Sequence, residues 1–215
     1  MKHWFLLRRQ PVAERDHLLD VFSAEEGLVP VRVSPPARLP DLFELCEGDW
    51  QTGRDWSRLK ASEVRKSFDL KERSLICALY ITELLVLLLP RSEPVPALYR
   101  LYHQTLEGLE TTSSPEPWLR VFEQRLLLEL GYGVSWDQAQ GGPVVKAASY
   151  RYDAVAGFVE SESGYPGAVL LDIGAGRLGS GQALLVARQV LRVALDAVLP
   201  RSLVSRELLD SRRSR

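Results

Sequence analysis

The hydrophobic pattern of the chain changes its period once, near residues 67–69, and this change limits the folds that the chain can adopt. Before that point, apolar residues occur in short runs, several of which alternate with polar residues as in half-buried β-strands. After it, apolar residues recur at spacings of three and four, the period of a helix with one buried face. The sequence therefore predicts an α+β protein in which a strand-rich domain at 1–68 precedes a helical domain at 69–215.

The first domain contains five short segments with the composition of β-strands. They lie at about residues 3–9, 17–23, 28–33, 42–47 and 56–64. Glu25, Glu26 and Gly27 separate the second and third segments, and glycine supplies the positive φ that a hairpin turn needs. Five short strands joined by turns suit a small closed barrel of the OB type, because closure leaves no strand edge unpaired. Another small barrel or a sandwich fits the same pattern and stays open as an alternative.

The second domain is expected to be a mainly α-helical bundle with one small β-hairpin. Helical spacing recurs at about residues 69–89, 95–109, 116–130, 182–199 and 202–212, and the hairpin is expected at 149–161. Pro115 and Pro117 suit the first turn of the third helix, and Gly131 suits its C-cap. Because its leucines leave little room for a polar stripe, we expect this helix to be packed on several sides.

Composition and residue types argue against several functional classes. The chain of 215 residues is 46% hydrophobic and 26% charged with a net charge of −1, which is ordinary for a globular protein. No apolar run is long enough to span a bilayer, and the first residues lack the apolar core of a signal peptide. Cys46 and Cys77 form neither a disulfide framework nor a zinc motif, which favours a cytoplasmic protein without a metal or cofactor. The three histidines lie far apart and there is no nucleophile elbow, so we expect no catalytic residues.

A glycine-rich segment raises the one alternative that involves an enzyme. The apolar run at 168–173 is followed by Gly-Ala-Gly-Arg-Leu-Gly at 174–179 and then by a helical pattern. A strand, a G-x-G-x-x-G turn and a helix in this order are typical of nucleotide and methyl-donor sites. Such sites need further strand–helix units, whereas the pattern after Gly179 is helical. An enzyme that uses Gly174 to Gly179 therefore stays a remote alternative to a simple loop before a helix.

Basic residues of the predicted barrel are the candidates for a nucleic-acid surface. Because the net charge is close to zero, such a surface has to be local. A face that follows a phosphate backbone needs cations and gains from aromatic rings on which bases stack, and Trp4, Trp50 and Trp56 could supply those rings. The candidate cations are Arg8, Arg9, Arg15, Arg32, Arg38, Arg58 and Lys60. Pairing of these side chains with neighbouring carboxylates is the structural alternative.

Several motifs, taken in order, resemble the RecO family of bacterial recombination and repair mediators. They are Leu6-Leu7-Arg8-Arg9, Glu14-Arg15-Asp16, residues 21–27, Tyr80-Ile81-Thr82-Glu83-Leu84-Leu85, residues 119–133, residues 150–159 and residues 205–209. The resemblance implies an OB domain followed by a helical domain, binding of single- and double-stranded DNA, and annealing of complementary strands. It also implies partnership with RecR and with the C-terminal tail of the single-strand binding protein, and indirectly with RecA, which is loaded onto coated single strands at the nucleoid.

The chain departs from the family pattern at two places. Relatives usually have a basic, glycine-containing loop after the third strand, whereas residues 34–40 are Ser-Pro-Pro-Ala-Arg-Leu-Pro and carry a single charge. Fewer phosphate contacts weaken binding and reduce its salt dependence. Many relatives also bind zinc through four cysteines after the segment at 131–133, where residues 135–140 have none, so we expect no zinc. A protein-interaction scaffold whose barrel has lost DNA affinity is therefore kept as an alternative.

The resemblance also directs attention to arginines in the helical domain. An acidic peptide that ends in an apolar residue needs arginine beside apolar surface, because a carboxylate binds most strongly to a charged donor. The third predicted helix offers Arg120, Arg125, Leu128 and Tyr132 as such a set. Pairing of the two arginines with glutamates on the same helix is the alternative. Three later arginines are expected to extend the DNA path or to hold the peptide: Arg192, Arg201 and Arg206.

Overall fold

The computed structural model describes residues 1–12, 16–34, 39–53 and 56–211, and its first part is a closed barrel with strand order β1-β2-β3-β5-β4. The strands are β1 (Lys2–Pro11), β2 (His17–Ser23), β3 (Gly27–Val33), β4 (Glu44–Gln51) and β5 (Ser57–Ser67). Antiparallel pairing of β1 with β4 and parallel pairing of β3 with β5 complete the closure. The predicted five-stranded, OB-like barrel is thereby confirmed.

Each strand of the barrel contributes apolar side chains to the interior. Successive residues of a strand point to opposite faces, so every second residue enters the core. The core consists of Trp4, Leu6, Leu19, Val21, Val29, Val31, Val33, Cys46 and Trp50, and Leu59 and Val64 of β5 pack against it. Phe5 and Phe22 are also fully buried, but they lie on the other face and pack against Tyr99 and Tyr102, with ring centroids between 5.1 and 6.4 Å apart. The barrel therefore has an apolar patch on its outer face as well as an apolar interior.

Helices α1 (Glu72–Leu88) and α2 (Pro96–Thr111) cover that outer patch and belong to the same compact unit as the barrel. This unit comprises residues 1–112 and the described residues from 203 onwards, including α6 (Val204–Ser211). The Thr82 hydroxyl lies 2.9 Å from the Tyr102 hydroxyl, which joins α1 to α2 inside the core. The barrel itself ends at Ser67, and the division of the chain into domains at 1–68 and 69–215 stays a prediction.

The loop between α1 and α2 is attached to the β2–β3 turn. The Ser92 amide donates to the Leu28 carbonyl at 2.9 Å, and Gly27 adopts the expected positive φ of 68°. A Cβ atom on Gly27 would lie 1.8 Å from the Glu93 carbonyl oxygen, so this close approach requires glycine. Asp20, which is buried, accepts hydrogen bonds from Arg8 and from Arg91 of this loop. A buried carboxylate is tolerated because both cations satisfy it.

The second compact unit, at residues 113–202, combines three helices with a small sheet. The helices are α3 (Glu116–Glu129), α4 (Gly167–Gly174) and α5 (Gly181–Val198). The sheet has the order β10-β8-β9-β6-β7 and consists of β6 (Gln138–Ala139), β7 (Gly142–Pro143), β8 (Ser149–Asp153), β9 (Gly157–Glu160) and β10 (Tyr165–Pro166). The expected hairpin is the β8–β9 pair, and three further short strands extend it.

Helix α3 is buried on one face, and the expectation that it is packed on several sides is wrong. Phe122, Leu126 and Leu127 are fully buried, whereas Trp118 and Leu128 are exposed. The sequence carries apolar residues on both faces, and periodicity alone cannot tell which of them meet a neighbour within the unit. Gly131 does provide the C-cap in the left-handed conformation, with a φ of 83°.

Helix α6 begins at a carboxylate that is distant in sequence. Glu83 of α1 accepts hydrogen bonds from the backbone amides of Val204 and Ser205 at 3.1 and 2.9 Å, and from the Ser205 hydroxyl at 2.6 Å. The first amides of a helix have no partner within the helix, so an acceptor at this end stabilises it. A negative charge there also interacts favourably with the helix dipole.

Replacing Glu83 with alanine should weaken the attachment of α6. We expect the Glu83→Ala variant to lose about 1 kcal/mol of unfolding free energy, as for other N-caps. Amide hydrogen exchange in α6, measured by mass spectrometry, should become faster, because local opening then costs less. Gln104→Ala, on the exposed face of α2, is the matched control and should leave α6 unchanged. Equal exchange in the Glu83 variant and the wild type would contradict this assignment.

Candidate nucleic-acid interface

A row of side chains crosses the outer face of the barrel from β1 to β4. Register pairs join Gln10 to Leu18, Leu18 to Arg32, Arg32 to Arg58, and Arg58 to Gln51. Directly opposite residues lie on the same face of a sheet, so all five side chains share the outer face. Because Leu59 packs against the core, its neighbours Arg58 and Lys60 both point outwards.

The cations of this row differ in how far they are already neutralised. Arg58 and Lys60 are exposed, and neither forms an ion pair within the described part of the chain. Arg32 is half-buried and binds the Asp16 carboxylate through Nη2 and through Nε, the latter at 2.8 Å. A hydrogen bond from Ser34, the bond from Arg32 and the nearby charge of Arg58 hold the pKa of Asp16 below its usual range. Asp16 therefore stays ionised and fixes the Arg32 guanidinium in place.

Arg8 and Arg9 do not form one basic patch. Arg8 is paired with Asp20 in register and donates to its carboxylate at 2.7 Å, so part of its charge is neutralised. Arg9 is exposed but is paired with the core residue Leu19, which places it on the opposite face of β1. Of the other barrel candidates, Arg15 and Arg38 lie outside the described residues. The structure thus brings together Arg32, Arg58 and Lys60. Arg8 lies on the same outer face, in the neighbouring cross-strand row that contains Asp20.

One of the three barrel tryptophans is accessible. Trp4 and Trp50 are 0% and 6% exposed and belong to the core, so the expectation that they offer stacking surfaces is wrong. Trp56 is 45% exposed and lines a hollow of about 220 Å³ together with Val12, Leu18 and Arg32. Alternation along a strand shows that one face is buried but does not say which, and this is why sequence alone could not select Trp56.

A second candidate site is a groove in the other compact unit that is lined mostly by residues with apolar side chains. It has a volume of about 500 Å³. Its walls are Val121, Gln124, Arg125, Leu128, Gly133, Val134, Trp136, Ile173, Gly174, Ala175, Gly176 and Leu178. Among these described wall residues, Arg125 is the single charged one. A groove with one cation on an apolar wall suits a ligand with one carboxylate beside an apolar group.

The four residues expected on this surface divide into three environments. Arg125 and Leu128 line the groove and are exposed. Arg120 is buried, and its Nη2 donates to Glu123 at 2.7 Å, so its guanidinium is not available on the surface. Tyr132 lines a separate hollow of about 470 Å³, beside the β8–β9 turn. The sequence alternative of pairing on the same helix holds for Arg120.

The glycine-rich segment at 174–179 does not follow a strand. Residues 167–174 form helix α4, and the sheet of this unit consists of other segments. The enzyme alternative required a parallel sheet at this point, so it is wrong. Instead, Gly174 allows a close approach to Trp136, since a Cβ on Gly174 would lie 2.8 Å from the Trp136 Cβ. Within the described residues, no group of three or more His, Cys, Asp or Glu side chains could hold a metal ion.

The three later arginines are not gathered into one site. Arg192 and Arg201 are exposed in the second unit, whereas Arg206 is half-buried on α6 of the first unit. Each of the three makes a contact of its own within the chain.

Helices across the described ranges are too short or too polar to cross a membrane.

Comparisons with known proteins agree with the motifs. The family model described as "Recombination protein O C terminal" matches residues 73–207. A protein named "DNA repair protein RecO" from Aliivibrio salmonicida is 33% identical over 225 residues, covering 97% of this chain and 94% of the relative. Proteins of the same name from Marinobacter nauticus and Pseudomonas paraeruginosa are each 32% identical, covering 96% and 97% of this chain and 92% and 94% of the relatives. The chain therefore belongs to the RecO family of DNA repair proteins.

Proposed function

We propose that this protein is a non-enzymatic mediator of DNA repair and homologous recombination that acts in the bacterial cytoplasm, at the nucleoid. It binds single- and double-stranded DNA on the outer face of its barrel and anneals complementary strands. With RecR it helps to load RecA onto single strands that are coated by the single-strand binding protein. The observation that carries the DNA-binding proposal is the shared outer face of Arg32, Arg58 and Lys60.

Cations on one face of a sheet support binding to the DNA backbone rather than to base edges. Phosphate contacts hold a nucleic acid without reading its sequence, which suits a protein that must anneal any pair of strands. Arg58 and Lys60 are on one strand and exposed, so both can approach successive phosphates without first breaking an ion pair of the described chain.

The groove at Arg125 supports a second interaction, with the C-terminal tail of the single-strand binding protein. Such a tail is acidic and ends in an apolar residue with a free carboxylate. Arg125 would bind the carboxylate, and Leu128, Val121 and Trp136 would enclose the apolar side chain. Arg120 and Tyr132 take no part in this proposal, because one is buried and the other lines a different hollow.

The interaction scaffold remains the rival function, and one observation favours it. Arg8 shares the Asp20 carboxylate with Arg91, so its charge is partly neutralised, and Arg9 lies on the other face of β1. The barrel therefore offers fewer aligned cations than the sequence predicts. A scaffold would bind its protein partners and leave DNA unbound at any salt concentration. The experiments below separate the two.

Removal of the exposed cations of β5 should weaken DNA binding and its salt dependence. We expect the double variant Arg58→Ala/Lys60→Ala to lower the log–log salt slope for a fluorescent single strand by about 1.4, or about 0.7 for each lost phosphate contact. The measurement is fluorescence anisotropy between low salt and 200 mM salt.

The matched control lies on the same strand. Arg65 is bonded to Glu47 and Glu63, and Lys66 to Glu107 and Glu110, so these cations are already engaged. The double variant Arg65→Ala/Lys66→Ala should therefore keep the slope of the wild type. Equal slopes for both double variants would remove the barrel face as the DNA site, and no binding by the wild type would favour the scaffold.

Replacement of Asp16 with asparagine should strengthen DNA binding, because it frees the Arg32 charge. We expect a higher affinity and a slope steeper by about 0.7 at neutral pH. Because the pKa of Asp16 is lowered in the folded state, its contribution to stability is present above the pKa of the unfolded chain. That contribution is lost as the pH falls through the folded value, so thermal melts of the variant should show a smaller loss of stability on acidification. A lower affinity of Asp16→Asn for DNA would contradict the proposed neutralisation of Arg32 by Asp16.

Replacement of Arg125 with alanine should weaken binding of an acidic peptide that ends in an apolar residue. We expect a loss of roughly tenfold in affinity, since a hydrogen bond to a charged group contributes about 1.5–3 kcal/mol. Isothermal titration with a synthetic peptide would measure it. Arg151→Ala, an exposed arginine on β8, is the control in the same unit and should bind like the wild type. An equal effect of both variants would show general charge attraction rather than a site.

A further inference from the structure

We infer that the hollow bounded by Trp56, Arg32, Leu18 and Val12 is a binding site for one unstacked nucleobase of a single strand. The inference rests on the proposed DNA binding of the barrel and adds the ligand that this hollow takes. All four residues belong to the first compact unit.

The size of the hollow suits a single ring system. Its volume of about 220 Å³ is below the range of about 300–1,000 Å³ that is usual for sites of drug-sized ligands. The hollow therefore has room for one ring system and not for several nucleotides side by side. One base can enter while its sugar and phosphate stay outside.

The walls of the hollow suit a flat aromatic ligand. Bases of single strands stack on indole rings and on guanidinium planes, and Trp56 and Arg32 supply one of each. Leu18 and Val12 add aliphatic surface, which favours a ring over a charged group. Asp16 binds Arg32 through two nitrogens, so the guanidinium is held in position before any ligand arrives.

The backbone of Trp56 lies close to Gly53. Gly53 approaches the Trp56 backbone so closely that a Cβ would lie 2.3 Å from the Trp56 carbonyl oxygen. The indole is nevertheless 45% exposed, so its ring is open to a ligand.

The surrounding charge favours a nucleic acid over a protein side chain. Arg58 is the register neighbour of Arg32, which lines the hollow, and Lys60 follows Arg58 on the same face of β5. These cations suit the phosphates on either side of an inserted base. Because a base in a duplex is paired and stacked, only a single strand can use the hollow without an additional cost. The cations of this face can bind the phosphates of single- or double-stranded DNA. The hollow therefore adds a preference for single strands.

Three DNA probes of equal length test this inference on the full-length protein: an oligothymidylate, an abasic strand with the same phosphates, and a duplex. We expect the wild type to bind oligothymidylate about tenfold more tightly than the abasic strand, as stacking of one base predicts. Trp56→Ala should bind the two single strands equally and keep the affinity of the wild type for the duplex. Trp56→Phe should retain most of the difference, because it keeps an aromatic ring.

The outcomes separate the hollow from the proposed function. Trp118→Ala, which removes an exposed tryptophan of the other unit, is the control and should behave like the wild type. If Trp56→Ala binds oligothymidylate as tightly as the wild type does, the nucleobase site is wrong while the phosphate face stands. If the wild type binds none of the three probes, both proposals fail. Should Trp56→Ala not fold, the comparison of thymidylate with abasic strand in the wild type still decides, because equal affinities would exclude a base site.

Discussion

The parallel pairing of β3 with β5 closes the barrel, and the candidate DNA face depends on its register. That register sets Arg32 directly beside Arg58. Like charges opposite each other destabilise a sheet, so closure at this point carries an electrostatic cost. Asp16 reduces the cost because it binds one of the two guanidinium groups. Hydrogen bonds from Ser34 and Arg32, together with the charges of Arg32 and Arg58, lower the pKa of Asp16. A barrel closed by two apolar residues would avoid the cost altogether. A local conflict of this kind, repaired by one neighbour, is typical of a surface that serves function rather than stability.

Strand β2 shows how the outer face is divided between support and binding. Leu18, Asp20 and Phe22 alternate with core residues, so all three point outwards. Phe22 is buried under Tyr99 and Tyr102, Asp20 is bound by Arg8 and Arg91, and Leu18 lines the open hollow. The outward side chains of β2 therefore become less buried from Phe22, under α2, to Leu18, in the exposed row. Because the covered end fixes the strand, the open end presents its side chains from a rigid base, which favours precise contacts with a ligand.

The sequence could predict the strands and helices but not which of their faces is buried against which neighbour. A change of period from two to 3.6 locates the five strands and the main helices within a few residues, because alternation is a local property. Which alternate set faces inwards depends on pairing between distant segments, so Trp50 and Trp56 were indistinguishable until closure was known. The same limit applies to Arg8 and Arg9, which look like one patch in sequence but lie on opposite faces. The residues of helix α4 form an apolar run too short for its period to separate a helix from a strand, and only the surrounding fold excludes the nucleotide site.

The two candidate sites differ in what surrounds their exposed cations, and this difference has a physical consequence. Arg58 and Lys60 point into solvent, where salt screens a charge within about 8 Å at physiological ionic strength. Arg125 is exposed as well, but it lines a groove beside apolar side chains, so a ligand seated there would exclude water from a carboxylate bond and strengthen it. Contacts on the barrel face are thus easily exchanged along a strand, whereas the groove suits one defined end group. The proposed DNA contacts and the proposed peptide contact therefore differ in kind, and they lie in different compact units.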